Sequence, residues 1–426
     1  MAGQPARAFG EYLARVGYGP PAAPDHIADP VLRRAAALAS LDARDPRQSL
    51  QRLFALGEPG PAPPGVDLEA LGLARRGGGV LTPLVRIDEL DGLFVCGEVL
   101  SADRPDAVAP VSASTRLVAA FTPQLRVDAA LDVGTGSGAH ALRLARHARR
   151  VVATDVSERA LALTRLNAQI NGLGNIETRL GSFLEPVRGE RFGVVVCNPP
   201  YVISPDAEFL YRDAGMRGDG LCRRLLAELP DVLEDGGFAT LQGNWTHPAE
   251  GPWFPPAPLT ALLTRIKTYA PREYAESWCA PDHAGDPAGF AAAVARWTDS
   301  YRELGIEAIT LAIVVMRAGP PRRPWATTMR ARPSGLGRRL PGLFAAGDRL
   351  AGADLLSVRL RPAPGLIVER RGAARCVLEH PATPCVRRPV SAALAEAVER
   401  LPGTLDDPAL WEEMSALVKL GYIELD

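Results

Sequence analysis

At 426 residues, 47% of them hydrophobic, the chain exceeds what one ordinary domain holds and has material for two or three buried cores. Its 48 basic and 49 acidic residues leave a net charge of −1, which removes any global attraction to a phosphate backbone. Six scattered cysteines without a C-x-x-C pair, no long apolar N-terminal stretch, and a longest apolar run (308–316) too short to cross a bilayer point to reduced thiols in a cytoplasmic protein, with no metal and no membrane contact.

Residues 1–105 read as a first unit. Phe9, Tyr12, Leu13 and Val16 recur at helical spacing, 31–41 repeats the pattern, and 49–56 predicts a third short helix. A Pro/Gly connector (58–65), a short helix (68–73) and a hairpin of 80–87 and 93–99 turning at 88–92 follow. Helices and then a hairpin resemble a winged helix. Such a module binds nucleic acid or serves as packing or a substrate lid, and the scarcity of basic residues on 68–73 favours the second role.

Residues 106–318 carry the chemistry. After a helix at 116–121, an apolar strand runs into Leu131-Asp132-Val133-Gly134-Thr135-Gly136-Ser137-Gly138, an acid followed by three glycines at alternate positions, and then into a helical pattern. Glycine suits a tight strand-to-helix turn whose backbone is pressed by a ligand, and the amides of the helix point back at that ligand. Gly134, Gly136 and Ala139 also satisfy the looser dinucleotide fingerprint, and a second strand, 151–154, ends in Asp155, a carboxylate able to take both hydroxyls of a ribose. Up to this point an NAD site fits equally well.

A third strand, 193–197, ends in Asn198-Pro199-Pro200-Tyr201. That tetrad has no use in hydride transfer and a specific one in methyl transfer to a planar nitrogen, whose lone pair is delocalised. The Asn198 side-chain oxygen and the Pro199 carbonyl would each accept an N–H and hold the nitrogen in line. The prolines fix the backbone beforehand, and Tyr201 offers a ring for stacking.

Asp132 to Gly138, Asp155, and Asn198 to Tyr201 resemble motifs of the class I S-adenosylmethionine-dependent amino-methyltransferases. Gly181-Ser182-Phe183-Leu184-Glu185-Pro186 resembles the G-D-L-F-E-P of the release-factor glutamine methyltransferases, with Ser182 in place of the usual acid near the adenine. Tyr211-Arg212-Asp213-Ala214-Gly215 and Asn244-Trp245 resemble a group of multidomain actinobacterial methyltransferases. The resemblance implies a cofactor site of Thr115, Asp132, Gly134, Thr135, Gly136, Gly138, Asp155, Val156, Ser182, Phe183 and Asn198. It implies catalytic Asn198, Pro199, Pro200 and Tyr201, with Tyr211, Arg212, Asn244 and Trp245 toward the substrate, where Trp278 joins them as an aromatic residue of an insertion over the sheet.

Further helices are predicted at 159–171, 221–233 and 290–304, with strands at 238–242 and 309–317, the last inserting antiparallel. Two insertions, 244–258 with Trp245 and Trp253 and 274–297 with Trp278 and Trp297, read as loops over the sheet, where an aromatic ring either holds substrate or packs. His140 and His147 lie seven apart on one helix face without ligating partners, which predicts solvated or capping roles. Residues 319–426 open with a Pro/Arg linker (320–324) and a basic cluster of Arg330, Arg332, Arg338 and Arg339. Strand-like runs (355–360, 366–370, 376–378), helices at 390–401 and 409–418, and a closing 422–425 predict a small α+β module.

The expected protein is α/β, with a Rossmann-like class I methyltransferase core (106–318) between a winged-helix-like N-terminal module and an α+β C-terminal module. It would move a methyl group from S-adenosylmethionine, leaving S-adenosylhomocysteine, to an amide, guanidine or amino nitrogen of a peptide, protein or small metabolite. Methylation of a base amino group in RNA or DNA is the alternative; an NAD-dependent oxidoreductase and a non-catalytic sensor of the cofactor are the rivals from other classes.

Overall fold

The computed structural model describes residues 3–21, 30–100, 104–206, 209, 212–213, 215–250, 252–255, 259–319, 326–330, 336–352, 359–370, 376–380, 387–403, 405 and 408–425. The chain divides into two compact units, 1–116 with 128–188 and 208–211, and 117–127 with 189–207 and 212–426.

The first unit opens with α1 (Gln4–Arg15), α2 (Pro30–Ala39) and α3 (Pro46–Leu50), which widens into a π-helical turn, Gln51–Ala55. Two hairpins follow, β1 (Ala74–Gly77) with β2 (Val80–Pro83) and β3 (Val85–Leu90) with β4 (Leu93–Glu98). The single hairpin expected from the sequence is the second of these, its turn made by Asp91 and Gly92 at φ 53° and 77°. The helix expected at 68–73 is absent. Asp67 accepts the Ala70 N–H, the Leu73 N–H turns back to the Leu68 carbonyl, and the chain passes directly into β1.

α4 (Ala113–Phe121) leads to β5 (Val127–Val133), α5 (Ala139–Leu144), β6 (Ala148–Asp155), α6 (Glu158–Ile170) and β7 (Ile176–Leu180), with strand order β5-β6-β7 and β6 parallel to β7. α6 joins the N-terminal elements to this sheet. Its Ile170, Leu163 and Leu166 share one apolar core with Phe9, Leu13, Phe54, Leu73 and Ile87. Asn167 accepts the Cys96 N–H and donates to the Cys96 carbonyl (2.9 and 2.8 Å), and Asn171 does the same at Phe94 (2.9 and 2.7 Å), so two side-chain amides satisfy the free edge of β4.

In the second unit lie β8 (Phe192–Cys197), α7 (Gly220–Glu228), β9 (Leu233–Pro248), β10 (Thr260–Tyr269), α8 (Pro271–Cys279), α9 (Pro287–Glu303), β11 (Ile306–Arg317) and β12 (Ala326–Arg330). Their order is β12-β10-β11-β9-β8. β8 and β9 are parallel, and β11 inserts antiparallel to β9, as expected. Alternating strands and helices with parallel pairing make this the Rossmann-like α/β class. β9 overshoots its neighbour. Its register with β8 ends at Cys197↔Leu241, yet it runs on for seven residues, about 23 Å at ~3.3 Å per residue, paired with β11. Asn244 and Trp245 therefore sit on a strand, and the expected loop begins only after Pro248.

The C-terminal residues add α10 (Leu340–Gly352), β13 (Leu360–Pro362), β14 (Ile367–Arg370), β15 (Cys376–Glu379), β16 (Arg387–Val390), α11 (Ala392–Glu399), α12 (Trp411–Lys419) and β17 (Ile423–Leu425). Small antiparallel sheets β14-β15-β16 and β13-β17 form there. β12 and α10 have no counterpart in the sequence reading. The linker 320–324, Arg332 and residues 355–358 lie outside the described residues.

Candidate active site

In the first unit the turn after β5 is shaped for a ligand. Gly134, Gly136 and Gly138 have φ of 68°, 54° and 82°. A Cβ added at Gly134 or Gly136 would meet nothing within 4 Å, whereas at Gly138 it would strike Thr164 at 2.9 Å. Two glycines keep the turn open and the third lets α6 approach. Asp132 is wholly buried; its Oδ2 accepts the Thr135 hydroxyl (2.7 Å) and the Ala141 N–H (2.9 Å), while Oδ1 has no partner. Burial pushes this carboxyl up to about 7, against the two hydrogen bonds.

Asp155 closes β6 and is tied to the same turn, Oδ2 accepting the Gly136 N–H and Oδ1 the Ser157 N–H, each at 2.9 Å. Burial raises its carboxyl too. Val156, next in the chain, is half exposed despite being apolar. Phe183 takes φ 45°, rare for a side chain of its size, and its carbonyl accepts the Thr154 hydroxyl (3.1 Å). Ser182 beside it is half-buried. Thr115 is buried at the start of α4, its hydroxyl accepting the Ser112 N–H (3.2 Å).

These features fit an adenosyl ligand: an open glycine turn, a carboxylate at a strand end, an unpaired buried oxygen, apolar Val156 next to that carboxylate in the chain, and Phe183, whose carbonyl is hydrogen-bonded to Thr154.

In the second unit the tetrad leaves the end of β8. Asn198 Oδ1 is buried without a hydrogen-bond partner. Tyr201 is half-buried against a core of Tyr274, Trp297, Tyr301 and Ile309. The chain just beyond it is clamped. Ile203 donates its N–H to the Tyr274 hydroxyl (3.1 Å) and accepts from the Tyr301 hydroxyl (2.7 Å), while Asn244 donates to Tyr274 Oη (2.5 Å) and to the Tyr201 carbonyl (3.3 Å). Asn244, expected toward substrate, thus holds the tetrad's exit.

Arg212 is buried in ion pairs with Asp213 (3.1 Å) and Asp282 (2.6 Å), its guanidinium 5.9 Å from the Trp297 ring centre. Trp245 is fully buried edge-on to Phe254 (4.6 Å), and Trp278 packs on Tyr274 (6.3 Å). Both tryptophans lie on regular elements, β9 and α8, because their apolar area fills the core. Tyr211 lies outside the described residues. His140 departs from expectation. It is buried with neither ring nitrogen partnered, and burial pushes it down to about 3, so it is neutral core; His147 is exposed.

Sequence reasoning missed Tyr274, Tyr301 and Gln242. The signal for the last was the alternation Thr240, Gln242, Asn244, Thr246, polar residues at period two in an apolar strand. Among the described residues no group of three His, Cys, Asp or Glu could hold a metal ion, and no helix is long and apolar enough to cross a membrane.

Residues 97–239 match the sequence model of the methyltransferase small domain. The release factor glutamine methyltransferase of Xylella fastidiosa (strain Temecula1) is 38% identical over 130 residues, 28% of this chain and 47% of that protein. Its counterpart in Enterococcus faecalis is 45% identical over 89 residues, 20% of this chain and 31% of its own. The chain therefore spans about half, or less, of the length of these curated relatives. Among solved structures, Trm5b from Pyrococcus abyssi aligns over 57% of this chain and 62% of its own at 14% identity, with a TM-score of 0.31, too low to bear on function. Over the matched residues the chain carries a class I S-adenosylmethionine-dependent methyltransferase domain, resembling the release factor glutamine methyltransferases.

Proposed function

We propose that the protein transfers a methyl group from S-adenosylmethionine to a planar nitrogen, amide, guanidine or amino, of a peptide, protein or small metabolite in the cytoplasm. The observation that carries this reading is the buried, unpartnered Asn198 Oδ1 at the end of β8, an acceptor held ready for an N–H. The relatives, release factor glutamine methyltransferases, support a protein acceptor.

Bound S-adenosylmethionine supplies a sulfonium primed to lose its methyl. Asp155 would take the ribose hydroxyls, and Val156, Ser182 and Phe183 the adenine. Gly134, Thr135, Gly136 and Gly138 would bring backbone against the ligand, Asp132 would offer Oδ1 to a donor, and Thr115 and Asn198 would complete that set. Asn198 Oδ1 and the Pro199 carbonyl would accept the N–H groups of the acceptor and favour the localised lone pair of the transition state. Pro200 keeps the backbone fixed, and Tyr201 would stack on the planar group. Residues 106–318 carry this chemistry in our reading, with 1–105 and 319–426 as flanking modules.

Thermal shift of the full chain with S-adenosylhomocysteine and with NAD tests the reading. Stabilisation by the first alone is expected, since only a ligand of the folded state raises the transition. Stabilisation by NAD alone would sink the proposal.

A further inference from the structure

Thr240, Gln242, Asn244 and Thr246 occupy alternate positions of β9 and share one of its faces. Thr240 donates to the Phe121 carbonyl (3.2 Å), and Asn244 donates to Tyr274 and Tyr201. Gln242, between them, is 0% exposed, and neither its Oε1 nor its Nε2 has a hydrogen-bond partner. The parallel register ends with Cys197 opposite Leu241, so the next residues on the two strands are Asn198 and Gln242. Two neighbouring side-chain amides thus carry buried polar atoms without a hydrogen-bond partner among the described residues.

A buried carboxamide with donor and acceptor both unmet is destabilising, and an apolar side chain of similar size would remove that cost. Keeping it beside the tetrad sacrifices stability where function is concentrated.

We propose that Gln242 is a further acceptor-binding residue, and that with Asn198 it selects a planar group presenting an N–H donor beside an acceptor oxygen. This rests on the methyl-transfer reading. Gln242 can give an N–H and receive one, so its complement is another carboxamide, as on a glutamine or asparagine side chain. A guanidinium offers donors only and would leave Nε2 unmet. An adenine edge also sets a donor beside an acceptor, but a chain of net charge −1 has no general grip on a polyanion.

The test uses the full chain saturated with S-adenosylhomocysteine, its affinity measured by calorimetry. NMR titration then follows N-acetylglutamine methylamide, N-acetylarginine methylamide and 9-methyladenine as probes. The wild type should bind the glutamine probe at least tenfold tighter than the other two. Gln242→Leu should lose that affinity by tenfold or more, keep S-adenosylhomocysteine affinity within twofold, and unfold at a higher temperature. Gln242→Met, of similar length but with neither donor nor acceptor, should lose it as well, which covers a leucine variant that fails to fold. A wild type that ignores the glutamine probe or prefers either competitor overturns the assignment, as does a folded variant with wild-type affinity. Failure of the wild type to bind S-adenosylhomocysteine would instead overturn the methyl-transfer reading.

Discussion

Asn198 and Asp132 both carry buried oxygens without partners, and each makes a prediction at the scale of one residue. Asn198→Ala removes one positioned acceptor, a change that typically costs about 100-fold or more in rate. Turnover on an acceptor found by label incorporation should fall by that factor while S-adenosylhomocysteine affinity stays within a few-fold; a variant at half the wild-type rate would remove Asn198 from the mechanism. Asp132 makes its prediction through pH. In the unfolded chain its carboxyl ionises near the ordinary 3.8, and in the folded chain burial moves this to about 7. Between those values the unfolded chain has lost a proton that the folded chain keeps, so folding stability falls as pH rises through the window, by at most ~1.4 kcal/mol per unit from this group. Denaturant titrations from pH 4 to 7 should show that slope in the unliganded protein and a shallower one in Asp132→Asn. Equal slopes would mean that Asp132 is ionised throughout.

Elements were legible where periodicity was local. The strand–glycine turn–helix after β5, the acid closing β6 and the tetrad closing β8 announce themselves within a few residues. β9 did not, because its last seven residues are held by pairing with β11, some 60 residues on, and their aromatic and polar content reads as loop. The hairpin β1–β2 was hidden likewise, in an Arg/Gly stretch of poor strand propensity that only pairing orders. Nor could spacing reveal that hydroxyls of α8 and α9 hold both backbone groups of Ile203. Tyr274→Phe tests that clamp. It leaves a backbone N–H and the Asn244 amide short of a partner, about 1–3 kcal/mol in a buried setting. The variant should unfold at correspondingly lower denaturant and show a reduced kcat with little change in cofactor affinity, because it loosens the tetrad's exit. A loss of stability with kcat intact would make the clamp architectural only.

For the whole molecule, the question is whether the matched domain stands alone. Its sequence motifs are complete between residues 106 and 318, which makes a minimal fragment attractive. The packing argues otherwise in each unit. In the first, α1 lies so close to α6 that a Cβ on Gly10 would fall 1.8 Å from the Ile170 carbonyl oxygen, and Phe9, Leu13, Phe54, Leu73 and Ile87 share one core with Ile170. Removing residues 1–106 would expose that face of α6 and strip the Asn167 amide of both its Cys96 partners, leaving it the Ser137 carbonyl. In the second, a cut after Gly319 strips β12 from β10 and takes Phe344 from its edge-on contact with Phe238 at 5.2 Å. Uncovering or deleting a large apolar side chain forfeits about 1.5–3 kcal/mol, so half a dozen forfeit roughly 9–18 kcal/mol, as much as the ~5–15 kcal/mol that holds a domain together. A fragment of residues 107–319 should therefore lack a cooperative unfolding transition and fail to bind S-adenosylhomocysteine, and Gly10→Val in the full chain should lower the transition midpoint by wedging α1 off α6. Scanning calorimetry with and without the ligand decides it. A fragment that melts cooperatively and binds with full-length affinity would show that the flanks add nothing to the stability of the chemistry between them.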